Sequence, residues 1–151
     1  MAAPAMHDIA HEFADRAVAS VFVYTREAHP AESYGHHTDF EAELRHARAL
    51  RDELGVSRPI LVDDLEGSCH RAWGMLPNMA WIVLGGGTIG YKADWTDPMD
   101  VAGALEELLE DDGSAKTPFY NERLRHRVND REAFMRGLQR NGPKAIQDFS
   151  R

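Results

Sequence analysis

The sequence holds a single cysteine, Cys69, in 151 residues. One thiol excludes an intrachain disulfide, a CxxC redox pair and any multi-cysteine zinc site within one chain. It suits a reducing compartment, so a cytoplasmic location is the expectation. A basic surplus is also missing. Seventeen Lys and Arg stand against 25 Asp and Glu, for a formal net charge of −8. Such a chain has few counterions to release, which argues against nucleic acid and anionic membrane as main partners. No apolar run approaches membrane-spanning length. The opening MAAPAMHDIA lacks a basic segment followed by an apolar one, so it does not read as a signal peptide.

What is present fits a globular α/β chain with one core: 43% hydrophobic and 28% charged residues. Met6, Ile9, Ala10, Phe13 and Ala17 share one helical face over residues 5–17. Residues 19–24 are a short apolar run, read as a buried strand, and 25–37 as a loop. Thr38 and Glu41 form a T-x-x-E capping box for a helix that carries Phe40, Leu44, Ala47 and Leu54 and closes at Gly55. Ile60–Val62 is a second strand, and Leu65–Trp73 a short helix. Met79–Leu84 and Thr88–Ala93 flank three glycines as a β-hairpin. Asp97 and Pro98 open a helix through Leu109. Strands alternating with helices imply parallel pairing, closed by one antiparallel hairpin. Residues 111–117 read as a linker. Residues 119–151 read as two or three short helices, broken at Asn129-Asp130 and Gly142-Pro143.

Several stretches carry candidate chemistry. HDIAH, residues 7–11, puts two histidines one helical turn apart, as in zinc-binding HExxH. The apolar stripe turns both toward solvent and no third ligand is evident, so no metal is assigned, and no cofactor. VFVYTREAHP, residues 21–30, is a strand that breaks into charge and ends on His29 and Pro30. Ligands in open α/β sheets bind beyond the carboxyl ends of strands, where residues 25–37 must lie. His36-His37 sit on that same connection and can converge with His29. Cys69, in GSCHRAWG, is a candidate redox thiol or a structural cysteine. Pro77 precedes a strand and can follow a cis or a trans bond. Trp95, in ADWTDP, either packs on the core or covers an apolar ligand.

Four stretches in order, REAHP, HTDFEAELRHARAL, VDD…AWGMLPN…IV and GGTIGYK, resemble the iodothyronine deiodinase family of thioredoxin-fold redoxins. The strand followed by EAHP is the most specific of them. The resemblance spans about residues 5–110 and leaves the tail outside. It implies a thioredoxin-like, three-layer α/β domain over residues 1–112 that lacks its usual N-terminal strand. A helical extension, 113–151, would pack on the same domain. The implied chemistry is thiol or selenol redox, or reductive dehalogenation of a small, aromatic substrate, with a thiol reductant as second partner. Glu27 and His29 match positions implicated in proton delivery or substrate contact. His37 matches a histidine that helps hold a phenol, and Pro77 falls where such folds place a cis-proline. Trp95 stands about where the family has an arginine clamp.

The nucleophile-bearing strand has no counterpart here. The reading therefore expects oxidoreductase activity of a longer protein carrying an upstream Cys or Sec, and inactivity of this chain alone in that chemistry. The alternative is a non-catalytic redoxin-like module that binds a ligand or partner. The tail can cover the open sheet edge, shield the site or mediate a homodimer.

Overall fold

The computed structural model describes residues 5–110, 119–121 and 131–150. The chain is mixed α/β and divides into two compact units, Met1–Pro77 with Asp130–Arg151, and Asn78–Asn129. This division runs across the boundary expected at residue 112.

In the first unit, α1 (Ala5–Glu12) is shorter than its apolar periodicity suggested. A 3₁₀ turn at Ala14–Arg16 follows, and Ala17 adopts a left-handed conformation with φ 60° that stops the helix. Phe13, at the break, is fully buried. Strands β1 (Phe22–Tyr24) and β2 (Ile60–Val62) pair in parallel, with Tyr24 opposite Val62. Helix α2 (Phe40–Leu54) connects them and ends at Gly55, whose φ of 64° suits glycine.

The cap of α2 is Asp39, not Thr38. Asp39 Oδ1 accepts from the Ala42 amide at 2.7 Å, while the Thr38 hydroxyl only donates to Asp39. A carboxylate at a helix N-terminus faces both open amides and the positive end of the dipole, so it outcompetes a hydroxyl one residue earlier. Side chains alternate along β1, so Phe22 and Tyr24 turn toward α2 while Val23 faces solvent. Tyr24, Ala47, Leu50 and Val56 form the buried core, with Phe22, Leu54, Ile60 and Val62 packed on it.

Helix α3 (Ser68–Ala72) starts later than Leu65, because a turn closes first: the Gly67 amide donates to Asp64 O at 2.8 Å. Asp63, at the end of β2, is buried. Its Oδ1 accepts from the Asp64 and Cys69 amides and its Oδ2 from the His70 amide, at 2.8–2.9 Å. Helices α5 (Arg131–Asn141) and α6 (Pro143–Phe149) meet at Gly142-Pro143, the break expected from sequence. Phe134 and Phe149 stack edge to face at 4.7 Å across that hairpin.

In the second unit, β3 (Ala80–Val83) and β4 (Ile89–Ala93) form the expected antiparallel hairpin. Asp97 caps α4 (Pro98–Glu110), accepting from the Met99 amide at 3.0 Å. Residues Phe119–Asn121 were expected in a helix, but they form β5, parallel to β4. An open strand edge offers a row of backbone donors and acceptors, and Phe-Tyr favours strand geometry. The expected linker 111–117 and the break at Asn129-Asp130 lie outside the described residues. The sheets are ordered β1-β2 and β3-β4-β5.

Asp63 satisfies three amides at once, so Asp63→Ala should lower unfolding free energy by about 2 kcal/mol in urea melts. An unchanged midpoint would show that water replaces those bonds.

Candidate functional site

Beyond the carboxyl end of β1 the loop 25–37 turns over α2, and two features meet there. The first is an open cleft of about 250 Å³, lined by Thr25, Arg26, Glu27, Ala28, Pro30, His36, His70 and Pro77. The second is a polar cluster behind it, built from Tyr24, Glu27, His37, Glu43 and His46.

Tyr24 begins the cluster. Its ring is in the core, so its hydroxyl is buried and needs a partner. Tyr24 Oη donates to Glu27 Oε1 at 2.6 Å, and His37 Nε2 lies 3.3 Å from Tyr24 Oη. His37 Nε2 also lies 3.0 Å from His46 Nδ1, so one of these two ring nitrogens donates to the other. On its other side His37 Nδ1 faces Glu43 Oε1 at 3.7 Å.

Glu43 is 1% exposed and neither carboxylate oxygen has a hydrogen-bond partner among the described residues. Burial, then Asp63 and Asp64, push its carboxyl up to about 7. Burial first, then the neighbouring His46, holds His37 below the ordinary imidazole value. His46 is lowered mainly by burial, with Arg140 and Arg45 adding to it. Burial and the bond to Glu27 raise the Tyr24 phenol far above its usual range. A neutral His37 beside a protonated Glu43 is the arrangement these environments favour.

The expected site residues distribute unevenly over these two features. Glu27 belongs to both: it lines the cleft and accepts the hydrogen bond from Tyr24. His37 reaches the cluster, but its side chain is only 6% exposed, and the adjacent His36 lines the cleft instead. The His29 side chain is exposed, and its backbone oxygen accepts from Asn141 Nδ2 at 3.0 Å. Pro77 lines the cleft and follows a trans bond, so the cis geometry implied by the resemblance is not adopted. Trp95 belongs to the second unit, half-buried in the turn from β4 to α4. His70 lines the cleft, with Nε2 donating to Leu76 O at 3.2 Å.

Cys69 is half-buried at the start of α3. Burial, Asp63 and Asp64 all raise its thiol. Among the described residues no group of three His, Cys, Asp or Glu is placed to hold a metal. His7 and His11 lie with ring centroids 4.6 Å apart, and His7 Nδ1 is 3.2 Å from Ser57 Oγ.

Sequence reasoning missed His46, Glu43, Tyr24, Tyr34, Arg140 and Asn141. A signal existed for two of them. Glu43, His46, Ala47, Leu50 and Leu54 follow i, i+3, i+4 spacing, so a glutamate and a histidine occupy the buried stripe of α2. Arg140 and Asn141 come from more than 100 residues downstream, and no local pattern marks them. No protein-family model matches the sequence, and no curated protein or solved structure matches it either.

Cys69 should react slowly with iodoacetamide at pH 7, with rapid labelling only after denaturation; fast labelling of folded protein would show an activated thiolate. For Glu43 the folded value lies above the unfolded one. Its stabilising contribution is complete below about pH 4.5 and fades as pH rises through about 7. Glu43→Gln should therefore gain on the wild type by about 1–3 kcal/mol between pH 5 and pH 8 in urea melts. Parallel stability curves would mean that Glu43 is hydrated and titrates normally.

Proposed function

We propose that this chain is the substrate-holding and proton-handling part of a deiodinase-like redoxin acting on a small, aromatic, acidic substrate. The observation that carries this is the position of Glu27. It is the residue shared by the open cleft and the buried Tyr24–His37–His46 cluster. A carboxylate in that place can take up or return a proton of the ligand while the buried donors behind it hold it in position. Arg26, His36 and His70 bring positive or protonatable groups to the same cleft, which suits a phenolate. His36 would take the ligand contact, with His37 acting behind it. His29 would approach the ligand from the solvent side. A thioredoxin-like arrangement and a cytoplasmic setting belong to this reading.

The redox step needs a chalcogen. In reductive dehalogenation the aryl–halogen bond breaks, the carbon takes a proton, and the chalcogenolate leaves bonded to the halogen. Two equivalents of a thiol then return the chalcogen and release halide. Cys69 is poorly suited to start this, because its surroundings keep it protonated. The nucleophile is assigned to a chalcogen that this chain does not carry. The same observation on Cys69 favours a second reading, a redoxin-like module that binds such a ligand without turnover.

Titration with ortho-iodophenol, followed by NMR of the histidine rings, tests the binding common to both readings. His36 and His70 should shift, and Arg26→Ala and His36→Ala should each weaken binding by about 5- to 10-fold. Unperturbed cleft resonances at millimolar phenol would overturn both. Adding a small selenol and excess thiol then separates them. Iodide release faster than in buffer supports the first reading, while binding without acceleration supports the second.

A further inference from the structure

We propose that the α5–α6 hairpin is a working part of this site, with Arg140 and Asn141 as positioning residues for Glu27. The proposal rests on the reading of Glu27 as the group that meets the ligand. Asn141, the last residue of α5, is buried. Its Nδ2 donates to Glu27 Oε2 at 3.1 Å and to His29 O at 3.0 Å, and its own backbone oxygen accepts from the Ser33 amide at 3.3 Å. One side chain and one carbonyl therefore pin the loop at three points. With Oε2 held by Asn141 and Oε1 by Tyr24, the orientation of the carboxylate where it borders the cleft is fixed.

Arg140 completes the clasp. Its guanidinium carbon sits over the Tyr34 ring, 3.7 Å from the centroid, and its Nε donates to Glu53. Nη1 stands 3.9 Å from Glu27 Oε1, and the side chain is 8% exposed. Tyr34 in turn donates to Glu53 and meets His46 edge to face at 5.1 Å. At the next helix, Glu32 receives the Lys144 amide at the start of α6. Packing alone would be served by the buried Leu138 and Ala145. The Asn141 amide and the Arg140 Nε add direction, because each aims at a fixed acceptor, on the loop and on α2 respectively.

Tyr34, beneath the Arg140 guanidinium, meets His46 edge to face, which puts that charge one ring away from His46. The groups facing or influencing that ring are His37 and Tyr34 from the loop, Glu27 from the end of β1, Arg45 from its own helix and Arg140 from α5. Removing Arg140 deletes one of the cations that disfavour protonation there.

The test is an NMR titration of the His46 ring together with ortho-iodophenol affinity, in full-length Arg140→Met, Arg140→Lys, Asn141→Leu and Asn141→Asp variants. Arg140→Met should raise the His46 midpoint by several tenths of a pH unit, and Arg140→Lys should restore it. Asn141→Leu should weaken the phenol by about fivefold in folded protein, as a carboxylate free to rotate loses its aim. Asn141→Asp keeps the shape but cannot donate, and should do the same if the leucine variant fails to fold. Loss of stability with wild-type His46 midpoint and wild-type affinity would reduce the hairpin to a structural brace and overturn the proposal. Should the phenol fail to bind wild-type protein, the reading of the cleft falls, and the His46 titration still decides whether Arg140 acts on the cluster.

Discussion

The hydrogen bond from Tyr24 to Glu27 is the constraint on which the first unit turns. Tyr24 ends a three-residue strand whose inward face must be apolar to cover α2. A tyrosine there buries its ring usefully but brings a hydroxyl into the core, and an unpaired hydroxyl would cost about 1–3 kcal/mol. Glu27 supplies the acceptor at a separation of three residues. For it to do so, the chain must curl immediately after the strand instead of running on. That curl is why the loop lies over α2 rather than extending from the sheet. It also brings His37 within reach of the same hydroxyl from the loop's far end. The loop is closed at both ends by one oxygen atom.

Closing the loop this way concentrates acid. Glu27, Glu43 and Glu53 all border the cluster, in a chain that already carries a formal charge of −8. Carboxylates brought together and partly dried must be neutralised, protonated or paired. The structure uses a different solution for each. Glu53 is paired with Arg140 and bonded to Tyr34. Glu27 is surrounded by donors from Tyr24 and Asn141. Glu43, fully buried, has only a histidine at 3.7 Å and is displaced toward its protonated form. The guanidinium that pairs with Glu53 arrives from the C-terminal hairpin. Electrostatics as much as packing thus explains why residues so distant in sequence belong to the first unit.

Local features of the fold were legible because their causes are local. The parallel β1–β2 pair, the glycine hairpin, the Asp97-Pro98 helix start and the Gly142-Pro143 break each follow from a few adjacent residues. The start of α2 was less so, since Thr38 and Asp39 compete for one set of amides and only the folded geometry shows that the carboxylate takes them. Strand β5 was hidden for the opposite reason. Its pairing partner lies some 28 residues away, and nothing in Phe-Tyr-Asn names β4. The site divides along the same line. Glu27 stood out because a strand rarely ends in charge without cause. His46 and Glu43 were visible only as polar interruptions of an apolar stripe, and Arg140 and Asn141 only after the tail had folded back.

The placement of Asp63 bears on what kind of chemistry such a chain can support. A thiol at a helix start is commonly activated by the unpaired amides there, which stabilise a thiolate. At α3 those amides are taken: the Cys69 and His70 N–H groups both donate to the Asp63 carboxylate. The same carboxylate then faces the sulfur as a negative charge, and Asp64 adds a second. The helix start is thereby spent on fixing the end of β2 and is lost to thiol chemistry. One residue away, His70 lines the cleft and donates from Nε2 to Leu76 O. What this end of the first unit gathers around Glu27 is therefore a set of hydrogen-bond donors and acceptors, with its thiol held toward the protonated form.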